Sequence, residues 1–533
     1  MYSCLIFVKF YTDKLNAKII MKKLLILGGG TAGWMAANML NHYLGSKSAS
    51  NLNQQTWQIT LVESPQIGII GVGEGSTPQL KKFFDLLGID ESEWMPASHA
   101  TFKNGISFIN WSEHTEKNRY FHPFPSPFDR QTASAFLYHC QMRSRGMDVP
   151  INPDDFFLSA KLAKLNLSPK PVTGKPQIAL NYAYHFDSAK LGEFLSQRAI
   201  KHGVTHISGK MESALQAKDS SIRAIKLASG EILDADLFID ATGFNSLLLQ
   251  GVLEEPFDSF DSNLFNNKAV AIASPKQDII ASETKATALS AGWAWQIPLT
   301  NRSGNGYVYS DRYISAAKAE QELRNHIAAN VDADTNIKVS QNEAKHINMK
   351  VGQVNRHWHK NVVAVGLSQG FIEPLEATAL HLVQETIQKL AHSLLDPAFS
   401  SEQERIKRVF NEYIKKRFNG VRDYIVCHYH MNSRTSSQYW VDNRENKSIS
   451  PQLAEVIETW RSKKEITPVL EKHQMTQYYP VISWYCLLAG YGCFTPATAA
   501  NKLPISNMNQ LAQYIMRNTA HFSSHNESLG LTI

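Results

Sequence analysis

Three kinds of residue in this 533-residue sequence could do chemistry: a lysine, a glutamate and a spaced set of glycines. Lys103 lies in ATFKNGISFINW, a short stretch ahead of a strand-like run. Its amine is nucleophilic when desolvated and a strong hydrogen-bond donor when charged. Glu376 lies in GFIEPLEAT, at the head of a run with helical periodicity, EPLEATALHLVQETIQKLAHSL. A carboxylate there can satisfy the unpaired amides of a helix start. Gly28, Gly30 and Gly33 fit G-x-G-x-x-G inside KKLLILGGGTAGWMAANMLNHYL, which reads as strand, glycine turn and helix. Such a turn lets backbone amides and the helix N-terminus approach a pyrophosphate. Each has a plainer reading on its own: a surface lysine, a capping carboxylate, a structural turn.

The elements that would hold these residues follow an α/β pattern. LLIL is a buried parallel strand, and the alanines after the glycine turn allow close helix–sheet packing. WQITLVES supplies a second strand ending at Glu63, a candidate for the adenosine ribose hydroxyls. The polar SKSASNLNQQ stretch between the two is a surface loop that lengthens the usual interval. LDADLFIDATGFNS ends a strand on Asp240 ahead of Gly243 and resembles a second FAD fingerprint. NVVAVGLSQGF ends another on a glycine turn, before the helix whose N-terminal dipole would face the flavin. Three such sites far apart favour FAD over NAD and one FAD domain folded from discontinuous chain. WAWQIP puts Trp293 and Trp295 on one strand face, a large apolar wall, although core aromatics make the same pattern. From about Ser401 onward the pattern is mainly helical.

Composition narrows the class. Hydrophobic content of 43% and charged content of 19% describe a folded globular protein. The net charge of +6 is a mild bias with no basic block, so a nucleic-acid surface is not expected. No transmembrane run is visible. Five scattered cysteines argue against a disulfide framework and for a reducing cytoplasm. CHYH, from Cys427 to His430, has no matching half-site and reads as packing, not as a metal centre.

Taken together, GGGTAGW, ATFKNGISFINW, WAWQIP and GFIEPLEAT resemble the flavin-dependent tryptophan halogenase family, from about Lys22 to the SWYCLLAGYG stretch. The resemblance implies an α/β fold: a Rossmann-like FAD-binding module of the flavin monooxygenase type over 21–400, and a mainly helical substrate-covering module over 401–533. Residues 1–20 would be an extension ahead of a start at Met21. It implies FADH2- and O2-dependent bromination or chlorination of an electron-rich aromatic, an indole ahead of free tryptophan. Reduced flavin would come from a separate NAD(P)H-dependent reductase, as no second G-x-G-x-x-G region is apparent. A homodimer is compatible with this reading. The rivals are a tryptophan halogenase proper, a flavin monooxygenase and a degenerate flavin-binding protein.

In the family mechanism, reduced flavin and oxygen convert halide to hypohalous acid, which travels through a tunnel to a lysine. The lysine hydrogen-bonds it or forms a haloamine, and Lys103 matches that lysine. Glu376 matches the carboxylate that takes the proton of the ring intermediate or polarises the halogenating agent. GVGEGSTP, Gly71 to Pro78, resembles the flavin-covering strap, its glycines permitting tight turns. Carried over as cofactor contacts are Gly28, Gly29, Gly30, Ala32, Gly33, Glu63, Glu74, Gly75, Met211, Gly243, Leu367 and Leu380. The amides of Thr378 and Ala379 would hold the halide. His122 and Phe124 in YFHPF would orient the substrate beside Trp293 and Trp295, and Glu373 would be structural.

Two departures stand out. Where the family usually reads ESTG, this chain has Glu376-Ala377-Thr378-Ala379, and Ala379 is expected to restrict φ where glycine is normal. The family's clamp for free tryptophan, with paired tyrosines, an acid and a Phe-Trp pair, is reduced here to TQYYPVISWYCLLAG. No acid lies between Tyr478 and Cys486, so the α-ammonium of tryptophan lacks its expected partner.

Overall fold

The computed structural model describes residues 21–45, 56–65, 73–113, 118–331, 337, 339, 341–494 and 506–531. The expected extension (1–20), the polar loop (46–55) and the first two strap residues, Gly71 and Val72, lie outside them.

Lys22–Leu27 forms the strand that the LLIL run predicts, in the interior of a six-stranded sheet. Its alternate residues enter different cores. Leu24 and Ile26 pack with Trp34, while Leu25 and Leu27 pack with Ile222, Ile225 and Leu248. Burial on both faces is what a parallel strand covered on two sides needs. Its parallel neighbours are Trp57–Glu63 and Leu237–Asp240. Val362–Ala364 and Thr205–Ser208 extend the parallel set, and Trp358–His359 closes one edge antiparallel. The sheet therefore draws strands from widely separated stretches of chain. The helix Thr31–Leu44 packs between Ser188–Lys201 and Ala379–Leu395. Asn38 ties it to the first of these by donating to Leu195 O at 2.9 Å.

A seven-stranded sheet carries the WAWQIP strand, Gly292–Pro298, between Thr284–Leu289 and Arg302–Tyr309. Thr284–Leu289 pairs parallel with Gly105–Ile109, which pairs antiparallel with Arg119–Pro123. A small third sheet sets Ala183–Asp187 between two short antiparallel edges, Gly73–Gly75 and Thr101–Lys103. The strap glycines at 73 and 75 are thus extended, not turned as expected. They serve close approach: a Cβ at Gly73 would stand 3.3 Å from the Ile297 side chain.

The chain after 401 is helical over Gln403–His430, Gln438–Glu445, Pro451–Arg461, Val481–Gly490 and Ser506–Thr519. Ile406, Phe410, Ile414, Phe418 and Val421 give the long first helix one buried stripe. A single core contains Trp34, Trp293 and Trp484, so packing runs unbroken across position 401. Among the described residues no helix is long and apolar enough to cross a membrane.

Candidate active site

The carboxyl ends of three adjacent parallel strands converge on glycine turns. Gly28 has φ +115°, and a Cβ there would lie 2.2 Å from Ala241 O. A Cβ on Gly33 would lie 2.0 Å from Gly28 O, so the helix start can close on the strand only with glycine. Gly30, the N-cap of Thr31–Leu44, has nothing within 4 Å of its Cβ position, and no acidic residue occupies the first turn. This open helix N-terminus suits a pyrophosphate. The missing side chain of Gly29 leaves room for the Glu63 carboxylate, which also meets His206 Nε2 at 2.9 Å. Ala32 faces Gly366 of the turn that includes Leu367. Gly243, φ +70°, opens the neighbouring turn. Asp240 bolts the two turns together by accepting from Thr242 at 2.6 Å and Ser368 at 3.2 Å. Met211 starts a half-buried strand two residues beyond Gly209, whose amide donates to Glu63 O. Leu380 is buried at the head of Ala379–Leu395.

The third sheet brings the strap to Lys103. Lys103 has no exposed surface, and its ammonium donates to Ser76 O at 3.1 Å, just after Gly75. Burial pulls the amine down to about 7, against the opposing pull of Glu376. The Phe124 ring lies 5.6 Å from Nζ. A Cβ on Gly75 would come within 3.2 Å of Nζ, so glycine keeps the amine approachable from the strap. Burial raises neighbouring Glu74 to about 7.

Glu376 ends the short turn Pro374–Glu376. Ala377 follows with φ 55° and ψ 36°, and the helix begins at Ala379. Backbone strain therefore sits at Ala377, not at Ala379 as the sequence led us to expect. Glu376 is 4% exposed; burial raises its carboxyl, and His122 and Lys103 oppose the rise. His428 Nε2 stands 2.9 Å from Glu376 Oε1, off the line of a hydrogen bond, and its Nδ1 meets the Tyr491 hydroxyl at 2.7 Å. His122 is buried with Nδ1 unpartnered, and burial pushes it down to about 4. The tryptophan wall is anchored by Glu373, which accepts from Trp293 Nε1 at 3.2 Å, from Asn266 at 2.9 Å and from the Tyr429 hydroxyl. Trp295 lies flat against Gly306, where any side chain would strike its ring.

A family model described as tryptophan halogenase matches residues 23–503. The chain belongs to the tryptophan halogenase family. It is 35% identical over 504 residues to the 7-chloro-L-tryptophan 6-halogenase KtzR of Kutzneria sp. (strain 744), covering 90% of this chain and 92% of that one. It is 33% identical to the tryptophan 7-halogenase RebH of Lentzea aerocolonigenes, covering 88% and 89%. Among solved structures, the tryptophan 6-halogenase SttH of Streptomyces toxytricini superposes with a TM-score of 0.81 at 30% identity, covering 96% and 99%.

Several residues packed around Glu376 in this halogenase escaped the sequence reading. His428 was expected to be packing, and it does stack on Phe108 with centroids 4.6 Å apart. Its other edge nonetheless faces Glu376. Tyr424 and His428 are spaced i, i+4 and so share a helix face, which was the available signal. Tyr479, from the shortened clamp, stacks on Tyr424 at 3.6 Å. Among the described residues no His, Cys, Asp and Glu cluster is placed to hold a metal.

Proposed function

We propose that this enzyme uses FADH2 and O2 to halogenate an indole or a similarly electron-rich aromatic, with reduced flavin supplied by a separate NAD(P)H-dependent reductase. The observation that carries the reading is the fully buried Lys103 amine, which donates to Ser76 O of the glycine strap and feels the charge of Glu376. FAD suits the open helix start at Gly30 and the turns around Gly243 and Gly366. When bound, it supplies the oxidation of halide by dioxygen.

The chain's own residues then act on either side of that chemistry. The amides of Thr378 and Ala379 begin a helix and are donors for a halide. The Trp293–Trp295 wall, fixed by Glu373, keeps the aromatic substrate from the flavin. Lys103, poised near neutrality, receives hypohalous acid as a donor ammonium or as a nucleophilic amine. Glu376, made more basic by burial, takes the proton from the halogenated ring carbon. Neutral His122 and Phe124 flank the ring. In this scheme residues 21–400 carry the oxidant and 401–533 cover the substrate.

The names of the relatives favour a second reading, free tryptophan as substrate. One screen tests both. The enzyme is combined with FAD, a reductase, NADH, oxygen and bromide or chloride, and offered indoles, tryptophan and phenols. Mass spectra should carry halogen isotope patterns, strongest with indoles. A hydroxylated product formed without halide would contradict the proposal.

A further inference from the structure

Beside Lys103 runs a line of polar groups that the scheme above leaves unused. The Thr101 hydroxyl donates to Pro298 O at 2.7 Å and lies 3.0 Å from His185 Nδ1. His185 Nε2 lies 2.9 Å from the Thr284 hydroxyl. Thr101 and His185 have no exposed surface, and Thr284 is 8% exposed.

A hydroxyl has one proton to give. That of Thr101 is committed to Pro298, so its oxygen accepts from His185, and the imidazole carries its proton on Nδ1. Nε2 is then bare and accepts the Thr284 proton. The Thr284 oxygen is left as an acceptor with its own hydrogen turned away. Burial and the nearby Lys103 keep His185 uncharged, holding it well below the usual imidazole range.

That acceptor borders the approach to Lys103. The point where a Gly75 side chain would begin lies 3.2 Å from Lys103 Nζ, 3.5 Å from Thr284 Oγ1 and 3.7 Å from His185 Cδ2. Gly75, His185 and Thr101 form one cross-strand row of the small sheet, and Thr284 enters from the seven-stranded sheet. Strand pairing, not a loop, sets the geometry.

Resting on the functional reading above, we propose that Thr284 is a positioning residue for hypohalous acid at Lys103, held in its role by the Thr101–His185 relay. Hypohalous acid has a single O–H, which Thr284 accepts, while its oxygen accepts from the Lys103 ammonium. Two hydrogen bonds then hold the oxygen and leave the halogen as the free end. The oxidant is oriented and retained instead of escaping to solvent.

Thr284→Val removes the acceptor and keeps the volume; Thr284→Ser restores the hydroxyl. Two quantities are read in the complete reaction with bromide and indole: brominated indole per FADH2 oxidised, and free hypobromous acid captured by a soluble 1,3-diketone. The valine variant should lose about tenfold in the first and gain correspondingly in the second, with the KM for indole unchanged. The serine variant should return to within about twofold of the parent. A third reading needs no flavin: nitrogen-15 histidine spectra should give His185 as the Nδ1-protonated tautomer, perturbed by Thr284→Val. Parent-like coupling in the valine variant, or an Nε2-protonated His185, would overturn the inference. If the parent itself yields neither hypobromous acid nor product, the functional reading fails, and this inference with it.

Discussion

An ammonium with no exposed surface is costly, so Lys103 sits where stability alone would not put it. In the unfolded chain a lysine stays protonated to about pH 10.5, whereas folded Lys103 does so only below about pH 7. Between those values folding releases a proton, and stability contributed here rises with pH. Lys103→Met should therefore stabilise the fold most at pH 6, progressively less as pH rises, and not at all above about pH 10.5. Urea unfolding across that range checks it; a gain that grows with pH would contradict the burial argument. The identity of Lys103 was legible only from its flanking string, since nothing in its spacing separates it from a surface lysine. Its burial depends on Ser76 and Phe124, which reach it through tertiary pairing. His428 was passed over for a related reason: the i, i+4 pairing with Tyr424 marks a face but not what that face meets.

At the scale of elements, the segment from Pro374 to Ala379 leads from Glu376, the proposed catalytic carboxylate, into a helix start. Ala377 holds the left-handed conformation in the middle of it, which costs a non-glycine residue about 1 kcal/mol. Ala379 is already helical, so its methyl group obstructs no backbone angle. Ala377→Gly should stabilise the protein by about 0.5 kcal/mol, relief of strain outweighing the added freedom of the unfolded chain. Because this residue aims the Thr378 and Ala379 amides, the same change should alter the bromide-to-chloride product ratio. Ala379→Gly should slightly weaken the helix start and leave that ratio alone. Competition at equal halide, paired with equilibrium unfolding, separates the two. The strand–glycine turn–helix around Gly28 was readable because an apolar run and a helical period flank it. The Gly73–Gly75 strand was not. Three residues carry no period, and their partner, Ala183–Asp187, lies far along the chain.

Across the whole molecule, the residues around Glu376 come from separate elements. Glu376 comes from a turn before a helix, His122 and Trp293 from strands of the seven-stranded sheet, and Tyr424 and His428 from the long C-terminal helix. The sheets could be anticipated from their strands, but the helix face that meets Glu376 is fixed only by the common core. Because Tyr479 leads directly through Pro480 into Val481–Gly490, with no acid before Cys486, kcat/KM should favour indole over free tryptophan by about tenfold. A clear preference for tryptophan would mean that another segment supplies the ammonium partner. The central claim is that halogen reaches the substrate by way of Lys103, and the most direct measurement is brominated indole formed by Lys103→Ala in the complete reaction. FAD should be retained and FADH2 still consumed, while product falls by at least about 100-fold. Product near the parent level would remove Lys103 from the reaction and contradict this account.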